Sequence, residues 1–332
     1  MVLCIEEADR LLAGGGLSPS LLIIIEMVVE APILIVGYNR PVIARQTLEW
    51  IKKACPRKVY FAIDGPKTDL DVKSVEEVKS LYYRGIGKAE HYYYINESNL
   101  GPELTISNAI SKVLEREDRV IILEDDVLAP PSFLHFADLM LERYAEDDRI
   151  AMVTGSNFIN GSCGVGGDYF FGYTGSTLSG WATWKRAWKM FDLNEKFKIK
   201  RSVLKQRFPA VRQLNFYCRN YKVFSMLPTG SNTWDCCWQF ERIKEKTLSI
   251  IPRFNLTSNI GAIGTHFQDA HLCHLMPINE SFVVSEDPEE VKCNNAWERQ
   301  SYATQLSSSL WKGPVINLQL LLRVLKIWKQ WK

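Results

Sequence analysis

The sequence predicts an α/β protein, a mostly parallel sheet flanked by helices and continued by a mixed half. Two observations carry this expectation. Five short runs rich in Val, Ile and Tyr recur between residues 33 and 154, and the segments between them space their apolar residues by three and four. Alternating strand and helix in this way implies parallel strands joined by crossover helices. The predicted strands are Ile33–Val36, Val59–Ile63, His91–Ile95, Val120–Leu123 and Ile150–Thr154. Predicted helices carry Ile43, Thr47, Leu48 and Ile51, then Val72, Val75, Val78 and Leu81, then Leu104, Ile106, Ala109, Ile110 and Val113. A further helix is expected from Ser132, after Pro130-Pro131. Its 332 residues, 46% hydrophobic and 23% charged, exclude a disordered, collagenous or coiled-coil chain and allow a large core without staples.

Ligands of such sheets bind at the carboxyl ends of the strands, and there the sequence turns polar. Tyr38 and Arg40 follow the first strand, Asp64 the second, Asn99 and Gly101 the third, and Glu124-Asp125-Asp126 the fourth. Each could be a plain turn residue; their joint placement at one edge points to a binding site. Three adjacent carboxylates directly after four apolar residues repel one another unless a cation or a donor-rich ligand joins them. A hard divalent cation bridging a diphosphate suits them. Side chains alternate along a strand, so Glu124 and Asp126 are expected on one side and Asp125 on the other. Which acid takes which role is open.

From about Asp168 aromatics crowd in. Trp184, Ala187, Trp188 and Phe191 follow helical spacing and read as core, which leaves Trp181, after Ser179-Gly180, as the candidate sugar-facing ring. Residues 196–230 read as basic and irregular, Asn232 to Lys246 as a helix, Leu248–Ile251 as a strand, and Asn255 to His266 as a loop broken by glycine. Asp235 would sit in the first turn of its helix, capped by Ser231, Asn232 or Thr233, with Glu241 as the reserve acid. His266 could touch a phosphate or a metal, whereas His271, Cys273 and His274 do not complete a convincing zinc set.

Forty basic against 38 acidic residues leave a net charge of +2, so no nucleic-acid partner is expected. Eight scattered cysteines without a C-x-x-C pair suggest a reducing compartment. The expected division is a leader over 1–30, either disordered or an added helix or strand, a first half over 31–167 built on the parallel strands, a second half over 168–285 and an extension over 286–332. Residues 1–13 lack a signal-peptide pattern. Leu318 to Lys332 mixes leucines and two tryptophans with basic residues, as a terminal helix or as one lying on an anionic membrane surface. The expected location is cytoplasmic, with peripheral contact at the inner membrane face through that tail.

Pro32 to Pro41, Ala62-Ile63-Asp64-Gly65, Leu123 to Asp126 with Phe133, Ser179-Gly180-Trp181, Trp234-Asp235 with Trp238, and Asn259-Ile260-Gly261 through Gly264-Thr265-His266 occur in this order. Together they resemble the GT-A-fold nucleotide-sugar glycosyltransferases. The inverting N-acetylglucosaminyltransferases of N-glycan branching and bacterial relatives of the family-2-like superfamily are the nearest parallels. The resemblance implies that Arg40 and Asp64 hold the base of a UDP-linked donor and that Glu124 and Asp125 contact sugar and ribose hydroxyls. It also implies that Asp126 ligates Mn2+ or Mg2+, that Asp235 is the catalytic base, and that Gly180 and Trp181 lie on the acceptor side, facing a glycan or lipid-linked acceptor. Thr105 departs from it, standing near where the N-glycan enzymes have a histidine. A sugar nucleotidyltransferase is the first rival, but Gly37-Tyr38-Asn39-Arg40-Pro41 is not the glycine- and lysine-rich loop that class needs. A non-catalytic carbohydrate-binding protein is the second.

Overall fold

The structure, a computed structural model, describes residues 2–4, 24–26, 28–161, 163–164, 166–193, 199–225, 234–261 and 276–310. Val2–Cys4 (β1) and Ile24–Glu26 (β2) pair in parallel apart from the main sheet. That sheet begins with Ile33–Gly37 (β3), followed by the helix Pro41–Lys52 (α1), Lys58–Ile63 (β4), Asp69–Tyr83 (α2), Glu90–Ile95 (β5), Gly101–Arg116 (α3) and Arg119–Glu124 (β6). All five residues of β3 and the inner four of β6 are buried, as expected of strands covered on both faces. Pro41 opens α1 where a missing N–H costs nothing. Thr68 and Asp71 form a capping box at the start of α2. Each helix turns its apolar stripe inward: Ala44, Thr47, Leu48 and Ile51 on α1, and Val75, Val78, Leu81 and Tyr82 on α2. Val72, expected on that stripe, is 44% exposed.

The chain continues through Val127–Leu128 (β7), Pro131–Arg143 (α4), Ile150–Thr154 (β8), Tyr169–Gly172 (β9), Trp181–Trp184 (β10) and Lys185–Trp188 (α5). Arg201–Arg207 (α6), Val211–Ser225 (α7), Trp234–Lys244 (α8), Leu248–Pro252 (β11), Ser258–Asn259 (β12) and Asn295–Leu310 (α9) follow. Eight strands form one sheet in the order β5-β4-β3-β6-β10-β8-β11-β9. From β5 to β6 all pairs are parallel. Beyond β6 the sheet is mixed: β10 runs antiparallel to both β6 and β8, β11 lies parallel to β8, and β9 closes the edge antiparallel. The expected architecture of a parallel half and a mixed half is the one observed.

Residues 201–207 and 211–225, within a stretch read as irregular, are helical. Leu204, Phe208, Leu214 and Tyr217 join Cys237, Phe240 and Ile243 in a second apolar cluster that packs α6 and α7 against α8. Basic residues on the outer faces of α6 and α7 hid that stripe in the sequence. Among the described residues no helix is long and apolar enough to cross a membrane. The tail Leu318 to Lys332 lies outside them, as do His266 and the proposed caps Ser231 to Thr233.

Candidate active site

Strand order locates the site. After β3 the chain steps one way to β4 and β5, then returns to place β6 on the other side of β3. Between β3 and β6 the connections therefore diverge and open a crevice at the strand ends. The residues that follow these two strands are Tyr38 to Arg40 and Glu124 to Asp126.

Arg40 brings the two loops together. One guanidinium nitrogen lies 2.5 Å from Asp125 Oδ1 and the other 2.8 Å from Asp126 Oδ2. The alternation expected of the acidic triplet fails here: β6 ends at Glu124, and Asp125 and Asp126 form a turn that swings both carboxylates onto the same cation. Thr47, from α1, donates to the Asp125 carbonyl at 2.7 Å, and the Tyr38 amide donates to Asp125 Oδ2. The Arg40 loop is itself anchored on α2, because the Asn39 amide donates to Asp71 and the Tyr38 hydroxyl accepts from the Lys67 amide.

A third loop closes on the turn from below. β12 pairs antiparallel with β7, setting Asn259 opposite Val127. The Asn259 side-chain amide donates to Asp126 Oδ1 at 3.0 Å and to the Leu178 carbonyl, while its oxygen accepts from the Gly261 amide. Gly261 lies so close that a Cβ there would stand 2.1 Å from Asp126 Oδ2 and 2.8 Å from Arg40. Asn259 was legible only as part of a motif; its hold on Asp126 comes from a pairing of segments 133 residues apart. Ser179 and Ser258, each beside one of these contacts in the chain, have buried hydroxyls without a hydrogen-bond partner among the described residues.

The electrostatics are those of crowded acids. Glu124 is driven up to about 8, first by burial and then by the charges of Asp126, Asp125 and, from α8, Asp235. Burial pushes Asp125 up to about 6 against the pull of Arg40. Burial also works against the Arg40 charge, but Asp125 and Asp126 outweigh it and hold the guanidinium firmly protonated. Asp235, 109 residues beyond Asp126 in sequence, is thus close enough to act on Glu124. It is brought there by Trp234, whose ring stacks on Trp181. Glu241, the reserve acid, is buried and paired with Lys244 at 2.8 Å.

Asp64, Asn99, Gly101, Gly180 and Trp181, all expected in the site, have structural tasks in this fold. Asp64 accepts five N–H groups: Gly65, Leu100 and Asn96 on Oδ1, and Asn99 and Gly101 on Oδ2. A carboxylate has about four lone-pair sites, so Asp64 folds the loop from Asn96 to Gly101 instead of offering an oxygen to a base, and Asn99 and Gly101 are its partners. Thr105 joins the same network by accepting from Asn96. Trp181 is 1% exposed, enclosed by Trp188, Trp234 and Trp238. Its ring is core, not a sugar platform. Gly180, at φ +88°, turns the chain into β10, a left-handed conformation that favours glycine.

Among the described residues no three side chains already stand in a metal-holding arrangement; Asp125 and Asp126 face Arg40 instead. The donor set nevertheless suits a hard divalent cation, since it offers carboxylate oxygens and carries an excess of negative charge.

No protein-family profile and no curated protein matches this chain. Among solved structures, residues 1–349 of S. aureus TarS are similar over 67% of this chain and 58% of that one, at 13% identity and a TM-score of 0.37. The mannosyltransferase PcManGT from Pyrobaculum calidifontis, in complex with GDP-Man and Mn2+, is similar over 37% of this chain and 34% of its own, at 17% identity and a TM-score of 0.27. The 4-diphosphocytidyl-2C-methyl-D-erythritol synthase from Anaerococcus prevotii is similar over 57% of this chain and 83% of its own, at 11% identity and a TM-score of 0.34. The chain thus spans a minor part of the mannosyltransferase and little more than half of the TarS segment. Likenesses this distant carry no argument about activity.

Proposed function

We propose that this chain is a glycosyltransferase that moves a sugar from a nucleoside diphosphate donor, UDP-linked, to an acceptor hydroxyl with inversion and with Mn2+ or Mg2+. One observation carries the reading. At the switch point of a parallel sheet, Asp125 and Asp126 hold the Arg40 guanidinium, and the adjacent Glu124 feels the charge of Asp235 from the other half of the chain. A plain solvated turn has no reason to recruit a fourth acid from so far along the chain.

Inverting transfer needs a group that takes the acceptor's proton and a means of stabilising the departing diphosphate. Asp235 is the base in this reading, because it is partly exposed at the start of α8 and its charge is felt by Glu124 at the end of β6. Glu241 is set aside for its pairing with Lys244. Glu124 and Asp125 are assigned to donor hydroxyls, and Tyr38 lines the β3 side of the crevice. Asp126 would hold the divalent cation, with Glu124 beside it and His266 as a further ligand. When bound, that cation supplies positive charge to the leaving diphosphate. Asn259 keeps the Asp126 carboxylate oriented. The acceptor is a glycan or a lipid-linked saccharide used in surface-polymer synthesis, approached from the Gly180 side.

Product analysis tests the reaction class. Incubation with sugar nucleotides and Mn2+ should release the nucleoside diphosphate, slowly to water and faster with an acceptor. Release of pyrophosphate from a nucleoside triphosphate and a sugar phosphate would instead make the chain a nucleotidyltransferase. A silent protein that binds saccharides would make it a binding module.

A further inference from the structure

Both oxygens of Asp126 are occupied, but by partners of different kinds. Oδ1 is held by Asn259, which is itself buried and fixed by the Leu178 carbonyl and the Gly261 amide. Oδ2 is held by Arg40, whose side chain is 28% exposed and is carried on the loop between β3 and α1. Oδ2 is therefore the oxygen that can be released. A guanidinium also suits this place better than an ammonium, because its planar fork reaches Asp125 and Asp126 at once.

We propose that Arg40 is the resident counter-cation of the acidic turn: it occupies Asp126 Oδ2 until a nucleoside diphosphate enters, then yields that oxygen to the divalent cation and turns to the negative charge of the diphosphate. This deepens the proposed donor chemistry and rests on it. The exchange keeps opposite charges paired throughout, since the divalent cation takes the place of the guanidinium at the carboxylates and the phosphates take the place of the carboxylates at the guanidinium. Two consequences follow. A divalent cation alone must compete with Arg40 and binds weakly, and cation and nucleotide strengthen each other's binding by the same factor.

The test is Mn2+ binding, followed by electron paramagnetic resonance of the free ion, to the full chain alone and with whichever of UDP, GDP, CDP or ADP binds it best. For the wild type, the nucleotide should tighten Mn2+ binding about tenfold or more, within the usual range of such couplings. Arg40→Gln should bind Mn2+ alone about tenfold more tightly than the wild type does, with the coupling correspondingly reduced. Arg40→Lys, which keeps a charge but not the fork, should fall between the two, and it decides the matter if the Gln variant does not fold. Mn2+ binding to these variants no tighter than to the wild type overturns the counter-cation, while persistent joint binding of metal and nucleotide would leave the donor chemistry standing. Failure of every protein to bind Mn2+ under any of these conditions overturns both.

Discussion

Asp126 is the residue on which Arg40, Asn259 and the close backbone of Gly261 converge, and its removal should be felt in binding before stability. In Asp126→Ala, Asn259 keeps the Leu178 carbonyl and Arg40 keeps Asp125, while one of the crowded charges is gone. The variant should therefore fold, and calorimetric titration should find that Mn2+ no longer tightens its binding of nucleoside diphosphate. Unchanged metal dependence would take Asp126 out of the metal site. The triplet was legible because three carboxylates directly after four buried strand residues have few peaceful explanations. The directions of its side chains were not, since alternation holds only while the strand lasts, and it ends at Glu124. The part Asp64 plays in folding its neighbouring loop was hidden for a related reason: apart from the Gly65 amide, its donors come from a loop that lies more than 30 residues away, and no local pattern announces them.

Among the elements, β10 shows how a short strand can mislead. Trp181 to Trp184 lies between a glycine turn and a one-turn helix, too brief for its alternation to stand out, so Trp181 looked like the ring left over from a helical stripe. In the sheet it is the centre of a tryptophan cluster that seats α8 and with it Asp235. Trp181→Ala should accordingly cost about 3–5 kcal/mol of stability, the usual loss on truncating a buried aromatic. Denaturant unfolding measures that loss. A variant with native stability and a raised acceptor KM would restore the sugar-facing role. The five strands of the first half, by contrast, could be placed to within a residue or two, because β3, β4, β6 and β8 are buried apolar runs and all five, the half-buried edge strand β5 included, are bounded by polar turns. Helices α6 and α7 escaped notice because basic outer faces dilute their apolar stripe.

At the scale of the molecule, α9 docks through Trp297, packed on Phe170, and through Glu298, whose carboxylate accepts from the Thr174 amide and hydroxyl. Glu298 is buried, and that burial raises its pKa above the ordinary value of 4.5 despite those donors and Arg242. The folded chain thus holds this proton more tightly than the unfolded chain, so protons are released on unfolding and the Glu298 contribution to stability falls as pH rises from about 4.5 through the raised folded value. Glu298→Gln removes that titration. The melting temperature of the wild type minus that of the variant should fall between pH 5 and pH 8; a difference that rises or stays flat would contradict the assignment. The same whole-molecule view governs the proposed function, because the proposed site draws on both the parallel and the mixed half. Neither half alone carries both the acidic turn and Asp235.

That convergence is tested most directly by the transfer rate of Asp235→Asn, measured beside its affinity for donor. The amide keeps the shape of the side chain but cannot take up the acceptor's proton. Transfer should fall by roughly a hundredfold to ten-thousandfold, the range for loss of a general base, while the donor Kd barely changes. Glu241→Gln, measured in parallel, should leave the transfer rate close to that of the wild type. Wild-type transfer by Asp235→Asn, or a larger loss in Glu241→Gln, would contradict the claim that the two halves build one site around Asp235.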